Sequence, residues 1–450
     1  MENRYDTKII RENVLSMIVP ITFENILQMA AGVVSMAFVG RINELAIGAV
    51  GLSNILFRIA WALFKGLGVG SSAFVARNLG AQKNHKISMV IKQGSIIAIG
   101  FSLIMQQIIF WNAETLLRIF DSSPELLSTA TVYLKIISWS LPLAAIIQFV
   151  AGVLQGMGNA KSPMLVVSIL NIVNIIFSFL LIFGNLGFPV LGLKGAGYAY
   201  VIAHIVSAIV GVYFLIKVNR EIMAEVDHAQ ESNEFRREEF VSLLKYGAPT
   251  SFELAFIQVA SIFVTRAILK YGETAYAAYQ LGLQAESVSY MPAMGLAIAA
   301  TAFVGRSLGA NDKKLGKMYL NELLKFSIII TLFAGGALVL FPNYIMRALT
   351  DDLEIVSIGS TYLIVMGFAQ MPQNLSGLFN GVLRGAGYPN APLIHTGTGI
   401  WLIRIPLILI VSNYFDANIL WIWLCMATDL VFRFIFSYGS FKRKDVFNED

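Results

Sequence analysis

From Pro163 to Gly192 the chain reads PMLVVSILNIVNIIFSFLLIFGNLGFPVLG, and from Ile96 to Asn112 it reads IIAIGFSLIMQQIIFWN, with no charged side chain in either stretch. Runs of this kind decide the fold class. A helix needs about 20 apolar residues to cross the hydrocarbon core of a bilayer, where every backbone N–H and C=O must be satisfied inside a helix or a closed barrel. Barrel strands alternate apolar and polar residues, and these runs do not. The chain therefore reads as an all-α polytopic membrane protein. Its composition agrees: 56% of residues are apolar and 14% charged, against about 25% charged in soluble proteins. Twelve spans are expected, near 13–39, 47–72, 88–112, 128–154, 163–184, 195–217, 242–268, 275–302, 319–341, 357–382, 393–412 and 417–438. The first follows a charged stretch and contains Glu24 and Asn25, unlike a cleaved signal segment. The one cysteine, Cys425, falls in the last span, so no internal disulfide can form.

The net charge of +5 does not point to nucleic acid, because of where it lies. Arg4, Lys8 and Arg11 precede the first span; Arg77, Lys83 and Lys86 follow the second; Arg220, Arg236 and Arg237 follow the sixth; Arg306, Lys313, Lys314 and Lys317 follow the eighth; Lys442, Arg443 and Lys444 close the chain. The alternate loops are poor in bases, and several are acidic (Asp121 and Glu125; Asp351, Asp352 and Glu354). That is the positive-inside pattern of a multi-pass protein of the cell membrane with both termini cytoplasmic.

One shift of 229 residues superposes the chain on itself. Pro20, Phe23 and Glu24 fall on Pro249, Phe252 and Glu253; AFVARNLGA (73–81) falls on AFVGRSLGA (302–310); Arg118, Glu125 and Tyr133 fall on Arg347, Glu354 and Tyr362; GVLQGMG (152–158) falls on GVLRGAG (381–387). Six spans separate the copies, so both enter the membrane in the same direction, the build of transporters with parallel repeats. The expected domains are a six-helix N-terminal lobe over 1–217, a charged cytoplasmic linker over 218–241 whose only structure is a short surface helix, and a six-helix C-terminal lobe over 242–450. Gly66/Gly70, Gly152/Gly156 and Gly381/Gly385 have the GxxxG spacing of close helix packing. No Gly-Lys-Ser/Thr follows a strand, so nothing reads as a nucleotide site and transport must be secondary.

Intramembrane acids are costly, about 2.5–3.5 kcal/mol each on insertion scales, and so mark candidate sites. They are Glu24, Glu253, Glu286 and Asp429. Glu24, Gln28 and Ser35 share a helix face, one turn after Pro20, and such oxygens can hold sodium or a proton. The competing role for Glu24 and Glu253 is structural pairing, for example with Arg58 or Lys65. Glu253 and Glu286 have no base at the positions equivalent to those two, which are Ser287 and Met294, and are expected to form an unpaired acid pair. Glu253, Glu286 and Glu24 are the candidate ion-coupling residues. Asn171, Asn174 and Ser178 share a face that is either a cavity wall or a source of interhelical hydrogen bonds. Gln28, Ser35, Arg58, Asn171, Asn174, Ser178, Gln258, Gln284 and Asn374 form the candidate substrate cavity. The four histidines are scattered (His85, His204, His228, His395), so neither a metal site nor an enzymatic centre is expected.

The helix-one segment P-x-x-x-E running into VSMAFVGRINELAIGAVG, the GVLQGMGNAKSP and GVLRGAGYPNAP turns, and the twin AFVxRxLGA helix ends together resemble the multidrug and toxic compound extrusion family. The resemblance covers essentially the whole chain. It implies two six-helix bundles around a central V-shaped cavity, and export of organic cations or other amphipathic compounds driven by entry of sodium or protons. No cofactor beyond that coupling ion is implied, and the expected partners are a small amphipathic substrate and the lipid bilayer, around a monomer. Many members carry an Asp in helix one where this chain has Ser35, and an Asp in helix five where it has Ser178; the carboxylate places of helices seven and ten hold Ile257 and Pro372. Arg404 with Pro406 is a further family-like feature. The alternative function is a flippase for a lipid-linked saccharide, since the larger superfamily contains both. The scarcity of cavity bases, with Arg58 and Lys65 the main ones, favours the exporter.

Overall fold

The computed structural model describes residues 5–120, 123–224, 237–414 and 418–447, and these are helical almost throughout. The helices are α1 (Thr7–Gly40), α2 (Glu44–Gly80), α3 (Asn84–Trp111), α4 (Ala113–Arg118), α5 (Pro124–Ser138), α6 (Leu141–Gly156), α7 (Lys161–Phe183), α8 (Leu193–Met223), α9 (Arg237–Leu269), α10 (Glu273–Gly309), α11 (Lys313–Leu340), α12 (Pro342–Arg347), α13 (Leu353–Gly385), α14 (Asn390–Gly397), α15 (Ile405–Tyr414) and α16 (Leu420–Arg443). A π-helical turn, Thr398–Arg404, joins α14 to α15. Among the described residues eleven helical stretches are long and apolar enough to cross a bilayer, and α5 with α6, bent by 48°, makes a twelfth span. The spans read from the sequence are all present. Most of the helices outrun them by several residues, because a helix continues past the hydrocarbon until a cap or turn stops it. Half of the expected linker, residues 225–236, lies outside the described residues.

Caps explain several boundaries. Asn43 accepts from the Ala46 N–H at 2.8 Å, Asp312 from Leu315 at 2.9 Å, and Asp352 from Glu354 and Ile355. Each satisfies an N–H that the first helical turn leaves over. The matched ends of α2 and α10 leave the helix through Gln82 and Asn311, with φ of 56° and 57°, positions 229 residues apart.

The chain forms two compact units. One holds residues 20–251, the other residues 1–19 and 252–450. The units therefore part inside α1 and α9 rather than at 217 and 242. Side chains show why. In the first turns of α1, Asn13 donates to the Tyr319 hydroxyl at 2.9 Å and Arg11 lies 3.6 Å from Glu322, both partners belonging to α11. Near the start of α9, Ser251 donates to the Leu63 carbonyl of α2 at 2.7 Å, and Tyr246 packs edge-on to Phe74.

Within each unit the repeat is a set of matched contacts. A Cβ added at Gly152 would lie 2.0 Å from the Gly68 carbonyl oxygen, and one at Gly156 2.5 Å from that of Ser72. In the other unit Gly381 meets the Ala297 oxygen at 2.3 Å and Gly385 that of Thr301 at 2.7 Å. Both pairs repeat at the 229-residue shift, so α2 on α6 and α10 on α13 are the same interface built twice. Gly66 and Gly70 do the like for α9, closing on Ser251 and Gly247. The GxxxG spacings thus mark helix packing, as expected. A side chain at Gly152 would meet backbone, which no rotamer change relieves. Gly152→Leu is therefore expected to cost more than the usual ~1–3 kcal/mol of overpacking, read as a lower unfolding midpoint in detergent. Gly100→Leu, where nothing beyond the local helix backbone lies within 4 Å of the new Cβ, is the matched control and should cost nothing.

Candidate functional site

A cavity of about 290 Å³ lies inside the unit of residues 20–251. Its wall takes Gln28 and Ser35 from α1, Asn54 and Trp61 from α2, Tyr133 from α5, Gln148 from α6, Asn171, Asn174 and Ser178 from α7, and Tyr200 and His204 from α8. The helical period puts the three α7 residues on one face, and the cavity is what that face lines. The polar groups form an oriented chain. Ser178 donates to Asn174 Oδ1 at 3.4 Å, and Asn174 Nδ2 donates to Ser35 Oγ at 3.1 Å. His204 Nδ1 sits 2.8 Å from the Tyr200 carbonyl oxygen, which only accepts. The proton is therefore on Nδ1, and in the neutral ring Nε2 is left as an acceptor. Asn171 Nδ2 is buried without a hydrogen-bond partner. Among the described residues no Asp, Glu, Lys or Arg lines this cavity. It is a chamber of amides, hydroxyls, an imidazole and aromatic faces, able to orient a small molecule by hydrogen bonds and ring contacts.

The buried acids stand in the other unit, and three of the four are neutralised directly. Glu253 lies 2.6 Å from Arg384 of α13 and accepts from Thr396 at 3.1 Å. Asp429, fully buried, lies 2.8 Å from Arg404 and 3.0 Å from Arg433. Glu322 lies 2.6 Å from Lys325. Glu286 differs. It is 3% exposed, and its carboxylate accepts from the Tyr362 hydroxyl and, at 2.9 Å, from Gln370 Nε2, both neutral. Among the described residues no Lys or Arg nitrogen lies within 4 Å of it; Arg404 acts on it only from farther away. Gln370 Oε1 is buried with no partner, an acceptor left over beside the carboxylate. Gly282, one turn before Glu286, makes the arrangement possible. A Cβ there would fall 2.5 Å from the Tyr362 ring, which also packs edge-on to Trp423 and Tyr279.

The structure thus sorts the sequence candidates. Gln28, Ser35, Asn171, Asn174 and Ser178 come together in one cavity. Arg58 and Gln284 are exposed and Gln258 half-buried, and none lines it. Asn374 is buried in an interhelical hydrogen bond, donating to Thr331 at 2.9 Å. Glu24 lies outside the cavity wall; one of its oxygens is buried without a hydrogen-bond partner, and the charge of Lys65, which sits over the Trp61 ring at 4.7 Å, acts on it. The expectation that Glu253 and Glu286 form an unpaired acid pair is corrected for Glu253. Its base comes from α13, not from the α10 positions equivalent to Arg58 and Lys65. Asn54 and His204 were missed. A lone histidine inside an apolar span was the available signal, since a polar ring there needs a protein or water partner.

The MatE family model matches residues 20–180 and 249–410. The two stretches begin 229 residues apart, as the internal repeat does. The chain is 28% identical over 425 residues to the probable multidrug resistance protein NorM of Thermotoga maritima, covering 94% of this chain and 90% of that protein. It is 25% identical over 432 residues to the probable multidrug resistance protein YoeA of Bacillus subtilis, covering 94% and 92%. Its fold is similar to that of a MOP superfamily transporter from Pyrococcus furiosus (TM-score 0.88, 18% identity, 98% of this chain and 97% of that one). It is equally similar to the Vibrio cholerae MATE transporter VcmN (TM-score 0.88, 17% identity, 98% of each chain).

Proposed function

The chain belongs to the MatE family of membrane transporters, and on that premise we propose that it is a secondary active antiporter exporting amphipathic or cationic organic compounds from the cell in exchange for sodium ions or protons. The names of its Thermotoga and Bacillus relatives, each given as a probable multidrug resistance protein, point the same way. The basic loops support an orientation with both termini in the cytoplasm.

One observation carries the coupling. Glu286 is the single buried acid among the described residues that neutral donors hold, while Glu253, Glu322 and Asp429 each have a base within 4 Å. A carboxylate already paired gains little from a second cation. One held by a hydroxyl and an amide can take up a proton or a sodium ion and release it again. On protonation the acid needs an acceptor, and Tyr362 can turn its hydroxyl to become one; the spare Gln370 oxygen is a further ligand for either ion. The uncharged cavity of the other unit supplies the substrate chamber, with Asn171, Asn174, Gln28, Gln148 and His204 orienting the molecule and Trp61 and Tyr133 flanking it. A flippase for a lipid-linked saccharide is less well served, because among the described residues no Lys or Arg lines this chamber to hold a phosphate.

The test is efflux of an organic-cation dye from liposomes holding the purified protein, under imposed sodium and proton gradients in turn. Dye movement against its own gradient, driven by one ion and not the other, is the expected result. Folded protein that moves dye under neither gradient would overturn the antiporter and favour the flippase.

A further inference from the structure

A second concavity, of about 420 Å³, lies on the surface of the unit of residues 20–251, at the membrane end where α3 finishes and α8 starts. Phe110, Val132, Lys135, Ile136, Trp139, Lys194, Tyr198 and Val201 line it. The bend between α5 and α6 falls at Trp139, so this ring projects at the break, 55% exposed, with its face edge-on to Phe110 at 5.9 Å. Gly197 lets α8 run close under α5: a Cβ there would fall 2.9 Å from Ile136. The floor of the groove is fixed by that approach, and its rims are set by the rings.

Two ammonium groups from different helices enter this one groove. Lys135 lies over the Phe110 ring at 5.7 Å, and neither lysine has an acidic partner among the described residues. Lys135 stands in the last turn of α5, where a cation suits the helix dipole. Lys194 stands in the first turn of α8, where a cation opposes it; that turn holds no acid and no side chain caps it. A positive side chain, a second lysine and the uncompensated N-terminus of a 31-residue helix therefore converge where an anion belongs. The rest of the wall is not that of a site for a free anion. Val132 and Tyr198, 41% and 44% exposed, with the half-buried Ile136 and Val201, give it an apolar wall on helices that cross the bilayer, and Trp139 and Tyr198 are side chains that favour headgroup depth.

We propose that this groove binds a phospholipid with a net negative headgroup, its phosphate between Lys135 and Lys194 at the start of α8 and its chains along Val132, Ile136 and Val201. The site is separate from the substrate chamber and from Glu286. On the orientation proposed above it faces the outer leaflet. Its role is to hold the bent α5–α6 span against α8 by a lipid that both helices share.

The experiment measures the unfolding midpoint of purified protein in neutral detergent with added phosphatidylglycerol, phosphatidylcholine or inorganic phosphate. A ligand that binds only the folded state raises the midpoint. Phosphatidylglycerol is expected to raise it, the other two are not, and Lys135→Gln/Lys194→Gln should lose the rise while keeping the lipid-free midpoint. Lys83→Gln/Lys442→Gln, with the same loss of charge elsewhere, should keep the rise. Native mass spectrometry should show one retained phosphatidylglycerol fewer on the groove variant than on the parent. An equal rise with phosphatidylcholine or with phosphate, or an undiminished rise and unchanged lipid count in the groove variant, would overturn the proposal.

Discussion

Glu286→Gln is expected to leave the protein folded and to abolish gradient-driven export. Glutamine matches glutamate in shape, and its two polar ends suit the site: the amide oxygen can accept from Gln370 and the amide nitrogen can donate to the Tyr362 oxygen. The Tyr362 hydroxyl proton then lacks the acceptor it had in the carboxylate, a penalty of about 1–3 kcal/mol that the fold is expected to bear. What goes is the group that can bind and release a cation. The size of the loss follows from the driving force. A gradient of one pH unit is worth about 1.4 kcal/mol, so one-for-one exchange without a membrane potential can hold a substrate ratio of about tenfold. A tenfold sodium gradient does the same. In Glu286→Gln that ratio should fall to one under either gradient, while passive substrate exchange between the two faces continues. The measurement is the steady-state dye ratio across liposomes loaded with parent or variant. A variant that still concentrates dye tenfold would remove Glu286 from the coupling step.

How much of this was legible in the sequence depends on the distance over which the cause acts. The spans were, because crossing a bilayer demands a long uncharged run, and the doubled build was, because the same shift links Gly152–Gly68 to Gly381–Ala297 and Gly156–Ser72 to Gly385–Thr301. The face of Asn171, Asn174 and Ser178 followed from the helical period alone. Local departures from regular helix were harder to see. The break between α5 and α6 has a sequence cause, since Pro142 offers no N–H to the Ser138 carbonyl, yet an apolar run on both sides disguises it. The π turn at Thr398–Arg404 depends on Gly399, where a Cβ would lie 2.3 Å from Asp429 and 2.5 Å from Arg433; the need for glycine there appears only once α16 is packed against it. Side-chain partners across long sequence intervals were not legible at all. Period arithmetic put Glu24 beside Gln28, but the cavity takes Gln28 and stops short of Glu24. It also gave no hint that Arg384, 131 residues away, would meet Glu253.

That last pair gives the largest expected effect on stability. Glu253 and Arg384 are 5% and 12% exposed at their side chains, so each depends on the other for its charge to be tolerated. Arg384→Ala leaves Glu253 with only the Thr396 hydroxyl, at 3.1 Å, and the uncompensated buried carboxylate should cost about 3–5 kcal/mol. Glu253→Ala strands the guanidinium and should cost a similar amount. The pair itself need not be stabilising, because removing both charges from water offsets most of their attraction. Replacing both by apolar side chains of similar volume is often neutral or better. Glu253→Met/Arg384→Met should therefore unfold nearer the parent midpoint than either alanine variant, a non-additivity that a double-mutant cycle measures. The same double variant separates the two acids in function. If Glu253 serves to neutralise Arg384 and Glu286 carries the ion, the double variant keeps gradient-driven dye export while Glu286→Gln does not. Additive destabilisation would mean the ion pair has no coupling energy. A stable double variant without gradient-driven export would return Glu253 to the coupling site.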